Sequence, residues 1–166
     1  PPTSAAAATA SGCLPIVHPA TLTAAAGFPW RLANLVYGIF DVAGTPSVDA
    51  FGARRLVETA RDLQYFADCY CPDRAARRDP EVSPLLGDLA GMPPAIFTAG
   101  TEDALIDDTL LMHAAWTGAG NRGWLDVWPE GPHGVGHFGP HATTRLGLAC
   151  RAKIHSRISL FLDELP

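Results

Sequence analysis

No charged residue occurs before Arg31, and only 17% of the 166 residues are Asp, Glu, Lys or Arg. A helix over residues 1–30 would therefore lack a charged face to turn to water. There is no basic stripe either. Arg54, Arg55, Arg74, Arg77 and Arg78 are scattered among acidic residues, and the net charge is -5. A surface of that kind cannot neutralise a run of phosphates, which excludes nucleic acid as a partner. No apolar run is long enough to span a bilayer. The N-terminus lacks the basic start and compact apolar centre of a secretion signal. Cysteine is sparse, and Cys13, Cys69, Cys71 and Cys150 contain no Cys-x-x-Cys pair. Cys69-Tyr70-Cys71 is poor zinc spacing. Together these absences predict a reduced, cytoplasmic protein without metal or cofactor. The chain starts at Pro1 and not at methionine, which predicts a processed product, a trimmed chain or a fragment of a longer reading frame.

Apolar residues make up 48% of the sequence, enough for a real core, and the length suits one domain. Residues 1–32 are rich in alanine, threonine and proline, with Pro15 and Pro19 placed to interrupt a helix. They predict a poorly defined segment or short helical pieces. The run 33–42, ANLVYGIFDV, reads as a strand buried on both faces, as in a parallel sheet. Gly44-Thr45-Pro46-Ser47 then reads as a turn, with Ser47 a turn residue. Residues 54–70 carry a helical pattern in one or two pieces, and Thr59 with Asp62 makes a capping pair. Arg77-Arg78-Asp79-Pro80 reads as a solvated turn.

Residues 95–99 predict a second strand, 105–117 a crossover helix and 124–128 a third strand. Leu105, Thr109, Met112 and Trp116 line one side of the crossover helix. Asp107 and Asp108 lie in its first turn, where carboxylates suit the positive end of the dipole. Trp116, Trp124 and Trp128 read as core residues. The last helix spans 143–165, with Leu146, Cys150, Ile154, Ile158, Phe161, Leu162 and Leu165 on one stripe. The fold class is α/β.

Asp103 ends the second strand and His133 follows the third. In open α/β sheets, chemistry collects at the carboxyl ends of the strands. A carboxylate there fixes the tautomer of a neighbouring imidazole and stabilises the imidazolium formed when it takes a proton. Spacing alone leaves Asp103 as such an acid or as a helix cap. It leaves His133 as a base or as an ordinary turn histidine, with His137 its rival. His133, His137 and His141 would share a face on a helix and offer three zinc ligands. Gly134, Gly136, Gly139 and Pro140 argue against a helix there.

Five motifs carry a resemblance. They are Asn34-Leu35-Val36-Tyr37-Gly38; Arg78-Asp79-Pro80-Glu81-Val82-Ser83-Pro84-Leu85; Leu89-Ala90-Gly91-Met92-Pro93-Pro94-Ala95; Gly100-Thr101-Glu102-Asp103-Ala104-Leu105-Ile106-Asp107-Asp108; and Pro129-Glu130-Gly131-Pro132-His133-Gly134. In this order they resemble the C-terminal half of an α/β-hydrolase of the hormone-sensitive-lipase-like esterase group, from about residue 33 to the end. The resemblance implies a partial α/β-hydrolase fold over 33–166, with about three parallel strands, flanking helices and a long C-terminal helix. It implies Asp103 as triad acid, His133 as triad base, a small ester as substrate, and hydrolysis through an acyl-enzyme.

The group places its nucleophile in Gly-x-Ser-x-Gly, and no such motif occurs here. Ser11 falls roughly at the right distance before Trp30, but Thr9-Ala10-Ser11-Gly12-Cys13 lacks the flanking glycines that a strained turn needs. The nucleophile is not carried over to it. The His-Gly-Gly oxyanion motif is missing as well. The expectation is the acid-and-base part of a serine esterase, inactive alone. The alternative is a non-catalytic α/β remnant or interaction domain, self-associating through an open edge of strand 33–42.

Overall fold

Parallel pairing on both sides of the apolar run after Arg31 organises the molecule. The computed structural model describes residues 7–10, 31–137 and 139–164. Among these, β1 (Ala7–Ala10), β2 (Leu32–Val36), β3 (Ala95–Glu102) and β4 (Gly123–Pro132) form a sheet in the order β1-β2-β3-β4. Every pairing is parallel. Among the described residues, four α-helices alternate with the strands: α1 (Pro46–Phe51), α2 (Ala60–Tyr70), α3 (Ile106–Gly118) and α4 (Arg145–Asp163).

Side chains alternate across a strand, so a sheet covered on both faces buries both sets. Ala33 and Leu35 of β2 and Ala95 and Phe97 of β3 pack with Met112 and Trp116 of α3. On the other face, Leu32 and Ile96 meet Phe161 of α4, while Val36 joins Cys150 and Ile154. Each fully buried Leu, Ile, Val, Phe or Met side chain among them contributes about 1.5–3 kcal/mol. The expected inward line of the crossover helix, Leu105, Thr109, Met112 and Trp116, is buried throughout. Trp124 and Trp128 are half-buried. On α4 the stripe holds at Cys150, Ile154 and Phe161, but Leu162 is exposed. Leu165 lies outside the described residues. Arg157 ties α4 to β4 through both oxygens of Asp126, at 3.2 Å each.

Several expectations need correction. A fourth strand, β1, lies within residues 1–32, which were expected to be a poorly defined segment or short helical pieces; its backbone groups pair in parallel with β2 despite alanine's helix preference. The same pairing covers the edge of strand 33–42 that was expected to be open. That strand is also shorter than expected. It stops at Val36 because Tyr37 takes a left-handed φ of 56°. Beyond it, the amides of Phe40 and Asp41 turn to the Asp108 carboxylate and not to a neighbouring strand.

The expected turn at 44–47 is instead the start of α1. Pro46 occupies the first helical turn, where its missing N–H costs nothing. Asp107 accepts the Ser47 amide at 2.8 Å. The capping pair on α2 is reciprocal: the Asp62 amide donates to the Thr59 hydroxyl at 3.1 Å, and the Thr59 amide donates to the Asp62 carboxylate at 3.0 Å. Arg77, expected in solvent, is buried, because its guanidinium bonds the Cys71 carbonyl at 2.8 Å and Asp68 at 2.5 Å.

Candidate active site

A slip in register positions the two residues singled out above. Through most of the β3–β4 ladder the partners keep step, ending at Gly100 with Trp128. The next pair is Glu102 with Pro132. Between them β4 makes an excursion through Glu130, which has a φ of 60° and donates its amide to the Thr101 hydroxyl at 2.8 Å. Gly131 passes so close to Gly100 that a Cβ on Gly100 would lie 1.9 Å from the Gly131 carbonyl oxygen. Because Glu102 now faces Pro132, the residues after them, Asp103 and His133, leave the sheet side by side.

Asp103 is 3% exposed and His133 5%. The imidazole Nδ1 lies 3.1 Å from Asp103 Oδ2 and 3.2 Å from Oδ1. Asp103 Oδ1 also accepts the Leu105 amide at 2.9 Å, so its carboxylate is fixed by the turn into α3. Asp103 is not the cap of α3, whose N-cap is Leu105 with no side-chain cap bond; its carboxylate holds the turn that leads into the helix. Burial by itself penalises the imidazolium of His133. The hydrogen bond to Asp103, its charge and the charge of Glu58 outweigh that penalty and hold the pKa above the ordinary histidine value. An imidazole so placed takes up a proton readily at Nε2 while Nδ1 stays bound to the acid.

Tyr37 braces this pair from below. Its ring centroid is 5.5 Å from that of His133. Its hydroxyl accepts the Gly136 amide at 3.0 Å and meets Cys150 Sγ at 3.4 Å. Burial pushes the phenol's pKa far upward, so it stays neutral. His137, the rival base, also meets the Tyr37 ring, edge-on with centroids 6.0 Å apart. Burial, then the nearby positive charges of Arg151 and His155, lower its pKa. Residues 133–137 are turns and Pro140–Thr143 is a short 3-10 helix, so His133, His137 and His141 share no helical face. Among the described residues, no group of three His, Cys, Asp or Glu is arranged to hold a metal ion.

The contacts of three residues were not foreseen in the sequence. Glu58, just before the cap of α2, places Oε1 3.6 Å from His133 Nε2. Asp108, expected only to face the helix dipole, is buried. It accepts the amides of Phe40 and Asp41 at 2.7 and 2.9 Å and the Thr45 hydroxyl at 2.6 Å. Ser83 is also buried: its hydroxyl accepts the Val42 amide at 2.8 Å and donates to the Arg77 carbonyl at 2.5 Å. Asp108 and Ser83 hold the loop after β2. Glu102 pairs with Arg54 rather than pointing freely to solvent. A cavity of about 100 Å³ opens between that loop and α2, lined by Ile39, Val42, Val48, Leu63, Leu105 and Asp41 among others. Ser11 lies outside the described residues.

A sequence model of the alpha/beta hydrolase fold matches residues 15–137. An acetyl-hydrolase of Streptomyces hygroscopicus is 35% identical over 78 residues, which are 47% of this chain and 26% of that protein. Among solved structures, a thermophilic carboxylesterase cloned from a metagenomic library is 25% identical with a TM-score of 0.67, covering 82% of this chain and 49% of its own. A thermostable esterase from Pseudomonas putida superposes with a TM-score of 0.77 at 24% identity, covering 87% of this chain and 46% of its own. The chain thus spans about half the length of these structures and about a quarter of the acetyl-hydrolase. With the parallel sheet, the crossover helix and a sequence match over most of its length, this chain belongs to the α/β-hydrolase fold family.

Proposed function

We propose that this chain supplies the acid, Asp103, and the base, His133, for serine-type hydrolysis of a small carboxylic ester. The observation that carries the reading is the buried contact of 3.1 Å between Asp103 Oδ2 and His133 Nδ1, at the carboxyl ends of adjacent parallel strands. In that role His133 Nε2 removes the proton of an attacking hydroxyl, and Asp103 stabilises the resulting imidazolium. His133 then returns the proton to the leaving alcohol. The esterase and acetyl-hydrolase descriptions of its relatives support an ester as substrate. The nucleophile and oxyanion donors are not assigned to this chain, since no Gly-x-Ser-x-Gly or His-Gly-Gly occurs in it. Losing oxyanion donors alone costs about 10²–10³-fold in rate. Without a nucleophile the acyl-enzyme route has no first step.

The test pairs a short-chain chromogenic ester with a serine-directed phosphonate. The chain alone is expected to give neither turnover nor label. Adding an esterase N-terminal half that bears Gly-x-Ser-x-Gly is expected to give turnover that His133→Ala and Asp103→Ala abolish. Restored turnover that survives both substitutions would refute the assignment. Labelling at Ser11, with turnover lost in His133→Ala, would overturn the view that the nucleophile lies elsewhere.

A further inference from the structure

His133 stands between two carboxylates, and only one belongs to the acid–base pair. Asp103, from the turn after β3, faces Nδ1; Glu58, from the segment joining α1 to α2, faces Nε2 at 3.6 Å. That separation suits an ion pair and is too long for a hydrogen bond. The Glu58 side chain is 21% exposed, so water screens the interaction only in part. Its place is set by the element that follows it. Thr59 caps α2 in a reciprocal box with Asp62, which fixes the backbone at the entry to the helix. Glu58 thereby reaches over the site from the opposite wall to Asp103. Tyr37 adds a neutral polar group beside the imidazole. Tyr37, at the end of β2, is kept neutral by burial, and its hydroxyl is engaged by Gly136 and Cys150 of α4. Arg54, on the segment before Glu58, is turned to Glu102.

We propose that Glu58 is a positioning residue of this site, a second carboxylate that holds the Nε2 proton of the His133 imidazolium and so sets when that nitrogen is open to an attacking hydroxyl. Nε2 is the nitrogen through which a histidine base works. While Glu58 is ionised and His133 is protonated, the ion pair favours the proton on Nε2, and that nitrogen cannot accept another. When His133 gives up that proton, Nδ1 keeps its own toward Asp103 and the Nε2 lone pair becomes available. Burial raises the Glu58 pKa, the positive His133 opposes that rise, and the charges of Asp103 and Asp62 add to it. The charge interaction stands on the geometry alone. Its meaning for catalysis rests on the ester-hydrolase reading.

The experiment is a titration of the full chain by NMR, following the His133 ring resonances in the wild type, Glu58→Gln, Glu58→Asp and Asp103→Asn. An opposite charge at this range raises proton affinity by about tenfold or more. Glu58→Gln is expected to lower the proton affinity of His133 by about tenfold, and Glu58→Asp to restore part of it. Asp103→Asn, which removes the other carboxylate, is expected to lower it independently. A His133 titration unchanged in Glu58→Gln would overturn the proposal, as would an equal fall in Glu58→Asp. Because the readout needs no turnover, its failure is separate from failure of the complemented esterase assay.

Discussion

The buried carboxylate of Asp108 is where a single substitution tests most of the reasoning about this fold. Replacing it with alanine strands two backbone amides, those of Phe40 and Asp41, and the Thr45 hydroxyl. Each buried donor left without an acceptor costs about 1–3 kcal/mol, so with three of them stranded Asp108→Ala should lose about 3–9 kcal/mol. Asp108→Asn should behave differently. Its carbonyl oxygen can keep both amides, its NH₂ can donate to Thr45 Oγ1, and no charge remains to be desolvated. Its stability at pH 7 should lie within about 1 kcal/mol of wild type. The pH dependence separates the two effects. Burial, partly opposed by the hydrogen bonds from Thr45, Asp41 and Phe40, raises the Asp108 pKa from 3.8 to about 6. The folded protein thus holds this proton more tightly than the unfolded chain does. The stability it lends is full below pH 3.8 and is lost as pH rises through about 6. That separation is worth about 3 kcal/mol at most. Urea unfolding, followed through the buried Trp116, should show wild type losing up to that amount relative to Asp108→Asn between about pH 4 and pH 6. A flat difference across this window, or one of opposite sign, would refute the account. So would an asparagine variant as unstable as the alanine variant.

Two further substitutions probe the placement of the site. Gly100→Ala would drive a methyl group into the Gly131 carbonyl and should destabilise by about 3 kcal/mol or more. It should also weaken the Asp103–His133 hydrogen bond, read from the downfield Nδ1 proton of His133. Thermal melting and that resonance check both effects, and an unchanged resonance in a folded variant would show that register does not set the pair. Thr59→Ala breaks the capping box of α2 and should cost about 1 kcal/mol, with faster hydrogen exchange in the first turn, whereas Thr59→Ser should retain both.

Periodicity made the sheet and its covering helices legible. Residues 95–99 read as a strand because they are apolar on both faces, and the Leu105–Trp116 line read as one helical side because its members recur at helical spacing. Asp103 and His133 were readable because each follows a strand within a recognisable motif. What escaped were residues whose work depends on partners remote in sequence. Asp108 looks like any acidic residue in a first helical turn; its use follows from the bend that Tyr37 introduces, 71 residues away by position. Glu58 has no pattern of its own, and only the folded path of the α1–α2 segment brings it to His133. Arg77 read as solvated because its acceptors, the Cys71 carbonyl and the Asp68 carboxylate, come from the end of α2, several residues earlier in the chain. β1 was hidden because alanine-rich sequence carries no strand signal until a partner edge supplies one.

The single phenol of Tyr37 has a mechanical consequence. It grips the loop carrying His133 through the Gly136 amide and touches the long C-terminal helix at Cys150, while its own backbone continues β2. Three parts of the molecule are thereby bolted at one point, so the loop bearing the imidazole cannot drift from the sheet without dragging the helix along. Thermal loosening of that helix should then be felt first as misalignment of His133, before the strands themselves part.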